Sequence, residues 1–321
     1  MNGHRHATLI ADIGGTHARF AVARDGRISG DVTVMLCRDF ADLAAAATVY
    51  LAGLTERPRH AVMAVAAPVN GDRVHLTNLA WAFSTEALRQ DLSLDTLDII
   101  NDFTAIAWAV PRLSETDYAQ LGGGAPCAGA PVAILGPGSG LGVAGLIPTR
   151  NGGWTVLPTE AGHVTLAASN AVEDRVLDTL RLTFGHVSAE RVLSGPGLIN
   201  IFTALAALDG EKAEALSPEA ISAQALADPA SRPGQALGLF CDFLGTAASN
   251  TALSLDARGG VYLAGGIISK WGDAFARSGF RQRFEAKGRY AGYLAAIPTY
   301  AITHPYPALA GMACGGGLAF L

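Results

Sequence analysis

Asp12 closes an apolar run and leads into Ile13-Gly14-Gly15-Thr16, within the stretch LIADIGGTHARFAVAR from Leu9 to Arg24. Glycine takes positive φ without steric cost, so Gly14-Gly15 suits a tight turn between two strands. On that reading Asp12 and Thr16 bond nearby backbone groups, as such residues do in turns. The same phrase returns in VAILGPGSGLGVAGLIP, Val132 to Pro148, and a third small-residue turn lies in GVYLAGGIIS, Gly260 to Ser269. Glycine turns expose backbone N–H groups, and arrays of these bind phosphate oxygens. Thr16 and Ser139 add hydroxyl donors. Asp12 repels a phosphate directly, but reaches one through Mg²⁺ or a magnesium-bound water, because magnesium favours carboxylate and phosphate oxygens together. Three such turns favour a magnesium nucleotide over a purely local role.

A second set of residues could handle protons and hydroxyls. Asn101 and Asp102 stand in LDIINDFTAIAWAV, after an apolar strand and before a helix-like run. Either could simply cap the helix. A polar pair at the carboxyl end of a strand also faces the ligand crevice of an α/β sheet, and a capped acid is a positioned acid. Glu160 and His163 lie three residues apart in LPTEAGHVTL, and Glu190 lies in HVSAERVLSGPG. Taken singly, each Glu reads as solvated surface and His163 as a structural histidine. Two familiar nucleotide motifs are excluded. Gly140, Gly142 and Gly145 match GxGxxG, but that fingerprint needs a helix after the glycines, and VAGLIP reads as strand. The Walker pattern GxxxxGK[ST] is absent.

These groups need a scaffold, and the chain is long enough for two domains at 321 residues. Half of it is hydrophobic and 16% is charged, which suits a large core. Strand-like runs TLIADI, ARFAVAR, HAVMAVA and LDIIN alternate with helix-like ADLAAAATVYLAGL and STEALRQDL, the latter starting at a good cap, Ser84. That alternation argues for α/β architecture. LGGGAPCAGAP, after a helix-like stretch, reads as a domain boundary or a surface loop. Gly210 to Gln235 reads as surface helix and loop without chemistry. The net charge of −5 without a basic stripe makes nucleic acid an unsuited partner. MNGHRHATL lacks the apolar core of a signal peptide, and no apolar run approaches the ~18 residues of a membrane span. Cys37, Cys127, Cys241 and Cys314 are far apart, which indicates neither a zinc site nor a disulfide framework. A cytoplasmic protein is expected.

DIGGTHARFA, TNLAW, INDFTAIA, GPGSGLGVA, TEAGHV, SAERVLSGPGL, GVYLAGGI and SGFRQRFEAKGR occur in this order from Asp12 to Arg289. Together they resemble the bacterial glucokinase family of the actin, hexokinase and Hsp70 ATPase superfamily. The resemblance implies the two-domain actin-like ATPase (ribonuclease H-like) α/β fold, with a cleft between a small and a large domain. It implies ATP and Mg²⁺ as cofactors and phosphorylation of the 6-hydroxyl of glucose. Asp102 would be the catalytic base. Asn101, Asp102, Glu160, His163 and Glu190 would bind the sugar. Ala11, Asp12, Ile13, Gly14, Gly15 and Thr16 would cradle phosphates, as would Gly136 to Gly142 with Gly138, Ser139 and Gly140 at the turn. Gly265 and Gly266 would approach the adenosine. No protein-held metal site is expected. A polyol needs several convergent acceptors, and carboxylates accept strongly, which agrees with these roles.

The chain departs from the family pattern twice. His17 follows Gly-Gly-Thr where the family has Asn, and Ala161-Gly162 precedes the sugar histidine where it has Gly-Gly. The cysteine-rich zinc motif of the regulator-and-kinase group is absent, which places the chain in the other bacterial group. The expected small domain is 1–111 with 304–321 returning to it, and the large domain 112–303. Hinges are expected near Pro111 and His304, with closure on glucose to exclude water. The terminal PALAGMACGGGLAFL is expected as a helix whose glycines allow close packing. The expected assembly is a homodimer. Two other readings stay open: a kinase of another hexose or of an acyl substrate on the same fold, and a non-catalytic sugar sensor, against which stand the intact Asp102 and the lack of a DNA-binding extension before Leu9.

Overall fold

The computed structural model describes residues 7–76 and 79–315. The start of MNGHRHATL, Thr77 and Asn78 of TNLAW, and the glycines at 316 and 317 lie outside the described residues. The chain forms two compact units. Unit 1 runs through Ser114 and resumes at His304, and unit 2 is Glu115–Thr303.

Unit 1 holds β1 (Thr8–Ile13), β2 (His17–Arg24), β3 (Arg27–Leu36), α1 (Leu43–Ala52), β4 (His60–Val65), β5 (Arg73–His75), β6 (Ala82–Ser84), α2 (Thr85–Asp91), β7 (Thr96–Asn101) and α3 (Asp102–Ala109). Its five-stranded sheet has the order β3-β2-β1-β4-β7. β1, β4 and β7 are parallel, in the register Ile13↔Val65↔Asn101. Their carboxyl ends therefore share one edge, and Ile13 and Asn101 lie two strand spacings apart, about 10 Å. β1 is buried apart from Asp12 and apolar from Leu9 to Ala11 and at Ile13, as suits a strand covered on both faces. Ser84 caps α2 as expected, accepting from Ala87 N at 3.1 Å. The first crossing, expected near Pro111, lies at Ser114–Glu115, because the helical turn Val110–Arg112 continues α3 and stays with unit 1.

Unit 2 holds β8 (Tyr118–Gly122), β9 (Val132–Pro137), β10 (Leu141–Pro148), β11 (Trp154–Thr159), α4 (Ala171–Phe184), α5 (Gly195–Leu208), α6 (Pro218–Ala227), α7 (Arg232–Leu255), β12 (Val261–Leu263), α8 (Gly266–Ala276), α9 (Phe280–Glu285), α10 (Ala291–Ala296) and β13 (Thr299–Ile302). The sheet order is β11-β10-β9-β12-β13-β8, with β9, β12 and β13 parallel. Its core joins Leu135, Val143, Val176, Phe240, Phe243 and Phe280.

Two expectations need correction here. The segment before LGGGAPCAGAP is strand β8, which pairs with β13, so this loop lies within unit 2. The third glycine turn does not open a second strand: GIISK starts helix α8. A short apolar run cannot be assigned to strand or helix by periodicity alone. By contrast, VAILGPGSGLGVAGLIP forms the β9–β10 hairpin, so the GxGxxG match there has strand after it and not the helix a dinucleotide site needs.

The last element is α11 (Pro307–Gly315), which packs on α3 in unit 1. Close packing occurs at Gly311: a Cβ there would meet the backbone of Ala105 and Ala109. The close packing expected at the consecutive glycines further on falls, for positions 316 and 317, outside the described residues.

Candidate active site

The glycine turn of unit 1 follows directly from β1. Gly14 N donates to His17 O at 3.0 Å, which closes the turn into β2. His17, in the position of the family's Asn, thus serves the turn through its backbone. Cys37 holds the turn from outside: its N donates to Thr16 O at 2.9 Å and its Sγ to Gly14 O at 3.5 Å. Burial pushes the Cys37 thiol up. The N–H groups of Gly15 and Thr16 face no protein acceptor among the described residues.

Asp12 stands opposite Arg19 across the β1–β2 hairpin. Arg19 Nη1 donates to Asp12 Oδ2 at 3.1 Å, with the side chains 31% and 20% exposed. Burial raises the Asp12 carboxyl above its ordinary value, and the Arg19 charge and hydrogen bond only partly offset this. A half-buried acid at a strand end favours a cationic neighbour, so Arg19 was findable from the hairpin register. Among the described residues, no three His, Cys, Asp or Glu side chains converge on a metal position. Asp12 with one oxygen on Arg19 and one to spare fits magnesium held chiefly by nucleotide phosphates and water.

The Asn101–Asp102 pair sits at the same sheet edge, where β7 passes into α3. Asn101 caps α3: its Oδ1 accepts from Phe103 N at 2.9 Å and Thr104 N at 3.3 Å. Its Nδ2 donates to Ala67 O at 3.4 Å. Asp102 is the first residue of α3 and half-buried, and its Oδ1 accepts from Phe103 N at 2.9 Å. The helix N-terminus favours its negative charge.

In unit 2 the second glycine turn joins β9 to β10. Gly138 N donates to Gly140 O at 2.8 Å, so it is not a free phosphate donor, while Ser139 and Gly140 have no protein acceptor for theirs among the described residues. Gly265 and Gly266 stand beside this turn. Ala264 N donates to Leu135 O at 2.7 Å, and a Cβ on Gly265 would overlap Pro137 O. Gly265 has φ 100°, a region that favours glycine.

Glu160, His163 and Glu190 come together in the same unit. His163 lies 3.9 Å from Glu160 through Nε2 and 3.9 Å from Glu190 through Nδ1. Glu160 and His163 are exposed, and Glu190 is half-buried. Glu190 N donates to Gly162 O at 2.9 Å, and Glu190 Oε2 accepts from Leu141 N at 2.8 Å. A Cβ on Gly162 would overlap Leu141 O, whereas the Ala161 methyl packs, partly buried, against the unit 2 core. Only the second glycine of the family's pair is needed for this approach. Sequence reasoning missed the pins on these loops: Ser194 Oγ donates to Glu190 O at 2.8 Å, and Gly195 N to Gly138 O at 2.8 Å.

Each unit thus places a strand–glycine turn–strand hairpin at the carboxyl edge of a parallel sheet core, the fold of the actin-like ATPases. The glucokinase family model matches residues 9–316. A glucokinase of Aromatoleum aromaticum is 50% identical over 310 residues, 95% of this chain and 93% of the relative. A glucokinase of Paramagnetospirillum magneticum is 48% identical over 309 residues, 95% of this chain and 96% of the relative. The crystal structure of a glucokinase from an Antarctic psychrotroph, 35% identical, superposes with a TM-score of 0.84 over 96% of this chain and 98% of that one. The chain belongs to the glucokinase family.

Proposed function

We propose that this chain carries out the reaction of its family, transfer of the γ-phosphoryl group of ATP to O6 of glucose, with Asp102 as the general base. The observation that carries this reading is the shared edge of the unit 1 sheet, which bears both the Asp12–Thr16 turn and the Asn101–Asp102 pair. A phosphate-binding turn and a carboxylate about 10 Å apart suit a donor and an acceptor that must meet.

Phosphoryl transfer leaves the protein mainly positioning and charge stabilisation. The N–H groups of Gly15, Thr16, Ser139 and Gly140 take phosphate oxygens. Gly265 and Gly266 leave room for the adenosine. Asp12 is the residue that would hold magnesium, and the ion when bound offsets phosphate charge. Asn101, Glu160, His163 and Glu190 accept from or donate to the sugar hydroxyls. Asp102 takes the O6 proton as the new bond to phosphorus forms. Its place at the start of α3, with Oδ1 accepting from Phe103 N, holds the carboxylate in a set orientation.

The test is a coupled assay of ADP release across glucose, mannose, fructose and N-acetylglucosamine, with and without magnesium. Turnover with glucose that stops when EDTA is added, with the fold intact by circular dichroism, is expected. Folded protein that turns over no hexose would end the kinase reading, and a faster rate on another sugar would end the glucose assignment. A homodimer and a cytoplasmic location complete the proposal. The four cysteines are unpaired, and no helix among the described residues is long and apolar enough to cross a membrane. Sedimentation velocity giving a monomer at micromolar concentration would remove the dimer.

A further inference from the structure

The geometry points to a second task for Glu190: it is a positioning residue for the phosphate turn, so that nucleotide affinity depends on its carboxylate even when no sugar is present. This rests on the roles proposed above for the turn and for the sugar residues.

The two oxygens of Glu190 serve two neighbourhoods. Oε1 faces His163 at 3.9 Å, on the sugar side. Oε2 accepts from Leu141 N at 2.8 Å, the residue that ends the Gly138–Gly140 turn. The turn is shaped around this carboxylate, because a Cβ on Gly140 would overlap Oε2 and crowd Cδ at 3.2 Å. The turn is therefore pinned at both ends by one segment. Gly195 N holds Gly138 O at its start, and Glu190 Oε2 holds Leu141 N at its end. Ser139 and Gly140, whose N–H groups are open to phosphate, lie between the pins. The Glu190 backbone is itself fixed through Gly162 O and Ser194 Oγ, so its carboxylate reaches the turn from an anchored base. Of the two pins only Glu190 is a side chain, and only it is shared with the sugar residues. Two ligands that depend on one carboxylate are coupled through it, so a change that moves the carboxylate from the turn side should also reach the sugar.

Two variants test the two directions. Titrations use a non-hydrolysable ATP analogue with magnesium and no sugar, and glucose with no nucleotide. Glu190→Ala leaves Leu141 N without its acceptor. It should weaken the analogue about tenfold, the lower range of a hydrogen bond to a charged group. Gly140→Ala pushes the carboxylate out of place and should weaken glucose at least about fivefold, although residue 140 belongs to the nucleotide turn. Glu160→Ala, on the sugar side without a contact to the turn, should weaken glucose and leave the analogue unchanged. An analogue Kd within twofold of wild type in Glu190→Ala overturns the inference, and so does an unchanged glucose Kd in Gly140→Ala. Each variant suffices alone if the other does not fold. Failure of the underlying reading looks different, because the wild type itself would then bind no glucose.

Discussion

Gly311→Ala puts a number on the seat of the helix that carries the proposed base. An ideal Cβ at position 311 would lie 1.8 Å from Ala105 O and 2.9 Å from Ala109 N, both backbone atoms that cannot rotate away. Real Cβ contacts stay beyond 3.0 Å, so α11 and α3 would have to part by more than about 1 Å. A gap of that size forfeits roughly a quarter to a half of each dispersion contact along the seam. Overpacking of this kind costs about 3 kcal/mol. Alanine returns about 1 kcal/mol of helix propensity over glycine. The net loss is about 2 kcal/mol, or about 4–8 °C in Tm for a unit of this size. Gly238 is the control: it lies in the middle of α7, is exposed, and has nothing within 4 Å of its Cβ position. Gly238→Ala should raise stability by about 0.5–1 kcal/mol. Calorimetry of both variants, with kcat alongside, reads the result. α3 begins at Asp102, so kcat should fall in Gly311→Ala and hold in Gly238→Ala. A Gly311→Ala melting temperature at or above wild type would refute the close seat and leave propensity as the whole effect.

Asp102→Asn should keep the fold and most glucose affinity while kcat drops by about 10²–10⁴-fold, and a kcat within a few-fold of wild type would leave Asp102 as a cap alone. His163→Ala should weaken glucose about ten- to hundred-fold, and an unchanged KM would remove His163 from the sugar site. Burial holds the folded Asp12 carboxyl above its ordinary value of 3.8, so the folded state binds this proton more tightly than the unfolded one. The stability tied to that proton is present at low pH and is lost as pH rises through the raised value. The Tm of wild type minus that of Asp12→Asn should therefore fall as pH climbs above about 4, and a difference that stays flat or grows would contradict it.

Local grammar made much of unit 1 legible. β1, β4 and β7 are apolar runs bounded by polar or glycine residues, and Ser84 and Asn101 cap the helices that follow. The β9–β10 hairpin was legible for the same reason. What stayed hidden depends on partners distant in sequence. Leu141 N meets Glu190 forty-nine residues on, and nothing in either local segment signals it. Gly311 looks like any helical glycine until α3 is placed against it. GIISK is apolar in either conformation, and the strand reading failed because α8 is set by tertiary packing: its Ile268 and Trp271 enter the unit 2 core, Trp271 against Phe240. Cys37 reads as a plain apolar residue, and its hold on Gly14 appears only when β3 is laid beside β2.

α11 comes after all of unit 2 in chain order, yet it covers α3 and touches β1, β3 and β4. Leu309 and Met312 are fully buried there, and Cys314 Sγ reaches Gly26 O at 3.7 Å. During synthesis at ~5–20 residues per second, unit 1 waits on the order of ten seconds or more for this helix. Unit 2 is continuous in sequence and has no such wait. A nascent chain halted before His304 holds every strand of both sheets, but α3 has no cover. The helix that begins at Asp102 therefore lacks its α11 partner until the chain past Pro307 has been made.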